Sequence, residues 1–171
     1  YSFKVGIPVV LEAGLFNGSG LTNQKDYWTK KVNFSAKAQM FFPPGFNLTL
    51  SAQKISPNQN DIMMYDAGMY WQKYGWHIEA EYLYKHYSHD AFKAVHSFDG
   101  FINYDIALKK KNCLIKKISP LVRYDFMTNH SDGSLTEDGK LKLTDYKRSR
   151  VTGGVTFSLA KPFVSDIRLN Y

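Results

Sequence analysis

The chain has 171 residues, a net charge of +7 and an aromatic content of 16%, with 12 Tyr, 12 Phe and 3 Trp. This length predicts one domain over residues 1–171, and the many aromatic residues favour β-strands over helices. No apolar stretch reaches the roughly 18 to 20 residues that a membrane-spanning helix needs. The single cysteine, Cys113, excludes an internal disulfide framework and a multi-cysteine metal site.

Side chains alternate in polarity along nine segments, which we predict to be β-strands of about ten residues. In chain order these segments cover residues 7–15, 33–42, 46–53, 63–71, 76–84, 102–108, 118–126, 151–159 and 164–171. In the clearest of them, Trp76 and Ile78 share one face while His77 and Glu79 share the other. Pro8 weakens the first segment, because proline cannot donate to a strand ladder. The pattern predicts an all-β fold, an antiparallel up-and-down meander of about nine strands.

Short and long connections alternate strictly between the predicted strands. The short ones lie at 43–45, 72–75, 109–112 and 160–162, and the long ones at 17–30, 55–61, 88–95 and 128–146. Outer-membrane barrels have short periplasmic turns and longer extracellular loops. The alternation therefore favours a transmembrane β-barrel over a soluble one.

Aromatic residues concentrate near both ends of the predicted strands. Amphipathic rings prefer the two membrane–water interfaces, so this distribution predicts two aromatic girdles. The residues of the turn side are Phe42, Phe46, Trp71, Tyr74, Trp76 and Phe163, and those of the loop side are Trp28, Tyr65, Tyr84, Tyr87 and Phe126.

The strand count predicts that the barrel extends beyond this chain. If the first strand rises from the periplasm, the ninth rises as well, whereas single-chain bacterial barrels have an even number of strands. Open porins need roughly sixteen to eighteen strands, and the first residues lack the basic start and cleavage site of a signal peptide. We therefore expect the carboxyl-terminal part of a porin barrel, without its amino-terminal half and its final strand.

Three segments resemble the phosphate-selective porin O and P family of Gram-negative outer-membrane proteins. They are GLFNGSG at 14–20, VRYDF at 122–126 and VTGGVTFSLAKPFVSDIRLNY at 151–171. The resemblance covers most of this chain and about the carboxyl-terminal half of a family member. It implies a trimeric outer-membrane pore of about sixteen strands that passes anions such as phosphate. It also places the constriction loop and much of the basic ladder in the other half of the protein.

The polar faces of the predicted strands define a water-filled path with charges of both signs. The basic residues on it are Lys4, Lys37, Lys85, Arg123 and Arg168, and the acidic residues are Glu12, Asp66, Glu79, Glu81, Asp105, Asp125 and Asp166. Much of the excess positive charge lies instead at the strand ends, in Lys109, Lys110, Lys111, Lys116, Lys117, Lys147, Arg148 and Arg150.

Four basic residues are the predicted anion contacts, because rings of Lys and Arg favour anions in a pore. They are Arg123, Arg168, Lys37 and Lys85. Arg123 and Arg168 are preferred, since a guanidinium fork matches an oxyanion. The alternative interpretation is that both arginines form structural ion pairs with Asp125, Asp166 or Glu81.

The sequence predicts neither an enzyme nor a cofactor site. Glu79 and Glu81 lie on one strand face without a shielded pocket, the five histidines lack metal-ligand spacing, and no nucleophile elbow or phosphate loop is present. We therefore predict no catalytic or metal-binding residue. Nucleic-acid binding is not expected, because the basic residues do not interleave with aromatic ones on one face.

The prediction is thus a passive channel in the bacterial outer membrane, with membrane lipid and inorganic anions as partners. The parent protein is expected to be a homotrimer, and this part alone could form a dimer by pairing of its sheet edges. Two alternatives remain: a non-conducting barrel that serves as an anchor or adhesin through its long loops, and a soluble β-barrel that binds a small ligand.

Overall fold

The computed structural model describes residues 1–17, 31–56, 60–109, 114–160 and 165–171. One antiparallel sheet contains all the described strands, and their order in the sheet follows their order in the chain. The strands are β1 (Ser2–Val5), β2 (Ile7–Asn17), β3 (Val32–Phe42), β4 (Phe46–Ile55), β5 (Ile62–Lys73), β6 (Trp76–Tyr87), β7 (Val95–Tyr104), β8 (Ile106–Ala107), β9 (Ile115–Met127), β10 (Arg148–Leu159) and β11 (Asp166–Asn170). The predicted all-β, up-and-down antiparallel meander is confirmed.

Helix is nearly absent from this part of the chain. A single 3₁₀ turn covers Ser88–Asp90, and no helix in the described ranges is long and apolar enough to cross a membrane. Some predicted features fall outside the description: residues 18–20 of the GLFNGSG segment, Trp28, Cys113, Phe163 and the side chain of Lys4.

The prediction of about nine strands is too low, because the described residues alone form eleven. The opening stretch is a hairpin, because the chain reverses at Gly6, which has a φ of 74°, so that Val5 opposes Ile7. Farther on, β7 starts well before the predicted residue 102, and Asp105 separates it from the short β8. Both β7 and β8 pair with β9, so they act as one interrupted pass through the sheet.

Tight turns join neighbouring strands at one end of the sheet, where the strands reverse direction. Tyr74 and Gly75, with φ of 55° and 85°, form the two-residue connection between β5 and β6, as expected for a hairpin turn with two positive φ angles. Gly45 lies so close to this turn that a Cβ on it would be 2.6 Å from the carbonyl oxygen of Gln72. The Gln72 amide also donates to the Gly45 carbonyl at 3.0 Å, so the two neighbouring turns are packed together.

The two faces of the sheet differ in chemistry. Directly opposed residues of neighbouring antiparallel strands point to the same face, so the register assigns each side chain to a face. Every exposed large hydrophobic side chain within the described strands lies on one of them, here called the apolar face. These residues are Leu11, Leu15, Val32, Leu50, Tyr65, Met69, Trp76, Tyr82, Ile102, Tyr104, Ile106, Val122, Tyr124, Val151, Ile167 and Leu169. The opposite, polar face carries the charged residues of the strand centres.

Buried hydrophobic residues are few in the described part of the chain. They are Ile62, Tyr87, Val95 and Leu141, and they form one cluster. The first three occupy polar-face positions where β5, β6 and β7 meet the long connections. Leu141 belongs to the connection between β9 and β10, so the small core lies between this connection and the polar face.

The sheet is open in the described residues. β1 pairs with β2, β11 pairs with β10, and the two are not paired with each other. The structure therefore shows the meander but not a closed barrel.

Candidate functional site

Charged side chains form cross-strand pairs along the polar face. Lys37 on β3 lies directly opposite Glu12 on β2, and its Nζ is 2.7 Å from the Glu12 carboxylate. On the next pair of strands, Ser51 donates to Asp66 at 3.4 Å. Lys37, a predicted anion contact, is thus on the expected face with its charge already paired.

Arg123 lies at the centre of a chain of ion pairs across β7, β9 and β10. Its Nη2 is 2.6 Å from Asp99 and 2.8 Å from Asp125, while its Nε donates to the same carboxylates at 3.0 and 2.9 Å. The second oxygen of Asp125 is 3.1 Å from Arg150. Arg123 therefore has the structural ion pair with Asp125 that the alternative interpretation expected. Asp99 was missed, because it precedes the segment predicted to be a strand.

Arg168 occupies a more open position on β11, opposite Thr156. It has no side-chain partner among the described residues and lines a concave region of about 690 Å³ on the polar face, near the short turns. Three other basic residues, Lys73, Lys117 and Arg123, line the same region. Asp105 balances Lys117 at 2.9 Å and also accepts a 2.6 Å hydrogen bond from Ser119.

Carboxylates dominate the neighbouring strands β5, β6 and β7. Asp66, Glu79, Glu81 and Asp99 surround a smaller concavity of about 240 Å³, and Glu79 pairs with the ring of His77 at 2.7 Å. The arginines of the polar face lie to the other side, on β9, β10 and β11. The arginines of the polar face are therefore separated from this acidic region and contact it at the Asp99–Arg123 pair, while Asp125 on β9 lies between Arg123 and Arg150.

Lys85, the fourth predicted anion contact, is covered by the connection between β9 and β10. Its side chain is 5% exposed, its Nζ donates to the Ser131 carbonyl at 2.5 Å and it lies 5.0 Å from the centre of the Tyr87 ring. This covering was not predicted from the sequence. One signal was available, because apolar residues occupy polar-face positions at the loop ends of four strands: Ile55, Ile62, Val95 and Met127.

Asp61 links three of the long connections. Its carboxylate accepts hydrogen bonds from Lys31, Lys54 and Ser56 at 2.9, 2.9 and 2.7 Å. Its backbone amide donates to the Ser88 hydroxyl at 2.9 Å. The bonds from Lys31, Ser56 and Lys54 hold the pKa of Asp61 well below its ordinary value.

Acid should therefore weaken the hydrogen bonds of the Asp61 carboxylate and lower the stability of the folded protein. A carboxylate whose pKa is lower in the folded than in the unfolded protein stabilises the fold at pH values above its unfolded pKa, near 3.8. This stabilisation is lost as the pH falls below the unfolded pKa toward the folded pKa. We expect Asp61→Asn to cost about 2 kcal/mol at neutral pH, the scale of hydrogen bonds to a charged group. The measurement is urea-induced unfolding of the protein between pH 7 and pH 3.

The control is Asp90→Asn, which changes an exposed carboxylate in the connection between β6 and β7. The stability gap between wild type and Asp61→Asn is expected to narrow below about pH 4, while Asp90→Asn follows wild type throughout. A gap that stays constant down to pH 3 would contradict the assignment.

In the described ranges, no group of three His, Cys, Asp or Glu side chains is arranged to hold a metal ion. Comparisons with family models, curated proteins and solved structures find no match for the chain, so its function has to be inferred from its residues and their geometry.

Proposed function

We propose that this chain forms part of the wall of an outer-membrane porin, with its apolar face toward lipid and its polar face toward a water-filled diffusion path. The observation that carries the proposal is the apolar face itself. Soluble monomers rarely expose a contiguous apolar patch larger than a few hundred Å², whereas a transmembrane strand alternates residues that face lipid with residues that face the lumen.

Further strands are needed to complete such a wall. In lipid, a β-sheet must close so that no backbone edge is left unpaired, and the described sheet has edges at β1 and β11. We propose that this barrel has about sixteen strands in all and belongs to the phosphate-selective porin O and P family of Gram-negative bacteria. The three resembling segments support this assignment, and a homotrimer is the expected assembly.

Inorganic anions such as phosphate are the proposed solutes. Arg168 supports this choice, because its guanidinium lies in the large concave region without a carboxylate partner in the described residues. Lys117 and Arg123 line the same region, although each is paired with carboxylates. Lys73 also lines it, at the end of β5, with its Nζ 4.5 Å from the centre of the Tyr74 ring. Anion transfer therefore depends most on Arg168 within this part of the wall.

Planar-bilayer recordings of the full-length porin test the function. We expect ohmic current steps, a reversal potential in a KCl gradient that indicates anion selectivity, and a reduction of the chloride current by added phosphate. Arg168→Gln should shift selectivity toward cations, because it removes a fixed positive charge from the path. The control Lys109→Gln removes the same charge at an exposed position outside the strands.

The outcomes separate the candidates. Cation selectivity in the wild-type protein would support the proposed porin function and contradict the proposal that anions are its solutes. Membrane insertion without conductance would favour the anchor or adhesin, and a monodisperse protein without detergent would favour a soluble ligand binder.

A further inference from the structure

The connection between β9 and β10, residues 128–147, is folded onto the polar face and is here called the β9–β10 loop. Its anchor is Ser131, which is completely buried. The Ser131 carbonyl accepts hydrogen bonds from Lys85 Nζ and the Tyr87 hydroxyl, both at 2.5 Å. The Ser131 amide donates to the same hydroxyl at 3.0 Å. Three polar contacts thus fix one residue of the loop to β6.

Apolar packing holds the loop at a second point. Leu141 joins the buried cluster of the described residues, and Leu135 packs against that cluster. The wall side of the cluster comes from polar-face positions on β5, β6 and β7, including Ile62 and Val95. This end of the polar face is therefore apolar because the loop covers it.

The loop also has internal order. Two isolated antiparallel β-bridges pair its backbone, one between His130 and Asp145 and the other between Leu135 and Leu141. The Thr136 amide donates to the Lys140 carbonyl at 2.7 Å, and the Lys142 amide donates to the Ser134 carbonyl at 2.8 Å. The loop is thus a compact hairpin whose bulk is fixed over the sheet.

The anchor lies two sheet positions away from the strand that the loop leaves. β9 pairs with β7, and β7 pairs with β6. With neighbouring strands about 4.8 Å apart, the loop reaches roughly 10 Å across the polar face. This reach runs along the wall, and because the loop lies on the polar face, in a barrel it would occupy space on the lumen side at the long-loop end.

We propose that the β9–β10 loop is a fixed obstruction at the long-loop mouth of the diffusion path, additional to the constriction loop expected in the other half of the parent, and that it limits the size of the hydrophilic solutes that pass this mouth. This inference rests on the proposed porin function and deepens it. It adds to that function a limit on solute size that residues of this chain impose. Ser131 and Leu141 are the positioning residues that hold the loop, and the hairpin is the part that obstructs the path.

The test is a shortened loop in the full-length porin. Because His130 and Asp145 are bridge partners, residues 132–143 can be replaced by Asn-Gly, a two-residue hairpin turn. We expect about a twofold rise in single-channel conductance, since a wider mouth lowers its resistance, and entry of larger polyethylene glycols. The control is Lys93→Ala at an exposed position of the connection between β6 and β7.

A second variant keeps the chain length. Tyr87→Phe combined with Lys85→Met removes the side-chain donors to the Ser131 carbonyl, and we expect a higher polymer cutoff and noisier open-channel current. Folding of each variant is checked by heat-modifiable electrophoretic mobility. If the shortened loop does not fold, this variant decides.

The possible failures are distinguishable. A conducting wild type whose conductance and polymer cutoff are unchanged in the folded variants overturns the obstruction alone. A wild type that inserts but never conducts overturns the porin function and the obstruction with it.

Discussion

Arginine at position 50 or 122 is expected to prevent stable insertion of the chain into lipid bilayers. Leu50 and Val122 lie near the centres of β4 and β9 on the apolar face, and they are 44% and 59% exposed. For a soluble protein, such exposed positions would accept arginine with little change in stability. On the lipid face of a barrel, arginine near the bilayer midplane costs about 2–4 kcal/mol. The measurement is the folded fraction in phospholipid vesicles, followed by urea titration.

The matched control is Thr49→Arg, one residue away on the polar face. Thr49 opposes Gly68, and Gly68 opposes Glu81, so the added charge would face water and carboxylates. We expect this variant to fold as wild type does. Normal vesicle folding of Leu50→Arg and Val122→Arg, or a gain in detergent-free solubility, would contradict a lipid-facing apolar face.

Ile62→Ala is expected to destabilise the protein by about 2–5 kcal/mol, the range for truncating a fully buried isoleucine. Ile62 is completely buried in the cluster with Leu141, so the cavity would open beneath the β9–β10 loop. We expect faster tryptic cleavage after Lys140 and Lys142 in vesicle-bound protein, together with a lower urea midpoint.

Ile102→Ala makes the same truncation on the apolar face, where Ile102 is 49% exposed. In a bilayer, lipid chains would fill the space, and the expected loss is below about 1 kcal/mol. Equal losses for Ile62→Ala and Ile102→Ala would contradict the contrast between a packed loop core and a lipid-facing surface.

Local periodicity explains why the two faces of the sheet could be predicted from the sequence. An alternation such as Trp76, His77, Ile78 and Glu79 shows which side chains share a face of the sheet, without any knowledge of the neighbouring strands. The prediction failed where local chemistry interrupts the period, at the Gly6 reversal and around Gly100, where β7 was partly missed.

Side-chain partners were harder to predict, because they depend on register. Sequence alternation assigned Arg123 to the polar face, but the contact with Asp99 required the pairing of β7 with β9. Tyr87 shows the larger gap. It was assigned to the aromatic girdle, yet it lies on the polar face under the β9–β10 loop. Only tertiary structure shows that a residue 44 positions later covers it.

That distance along the chain has a kinetic consequence. Tyr87 and Ser131 are far apart in the sequence, and contacts of large sequence separation form slowly during folding. Their contact can form only after β6, β7 and β9 have paired side by side. Docking of the β9–β10 loop would therefore be a late step of assembly. Until then, the polar face remains open and Tyr87 remains in contact with water.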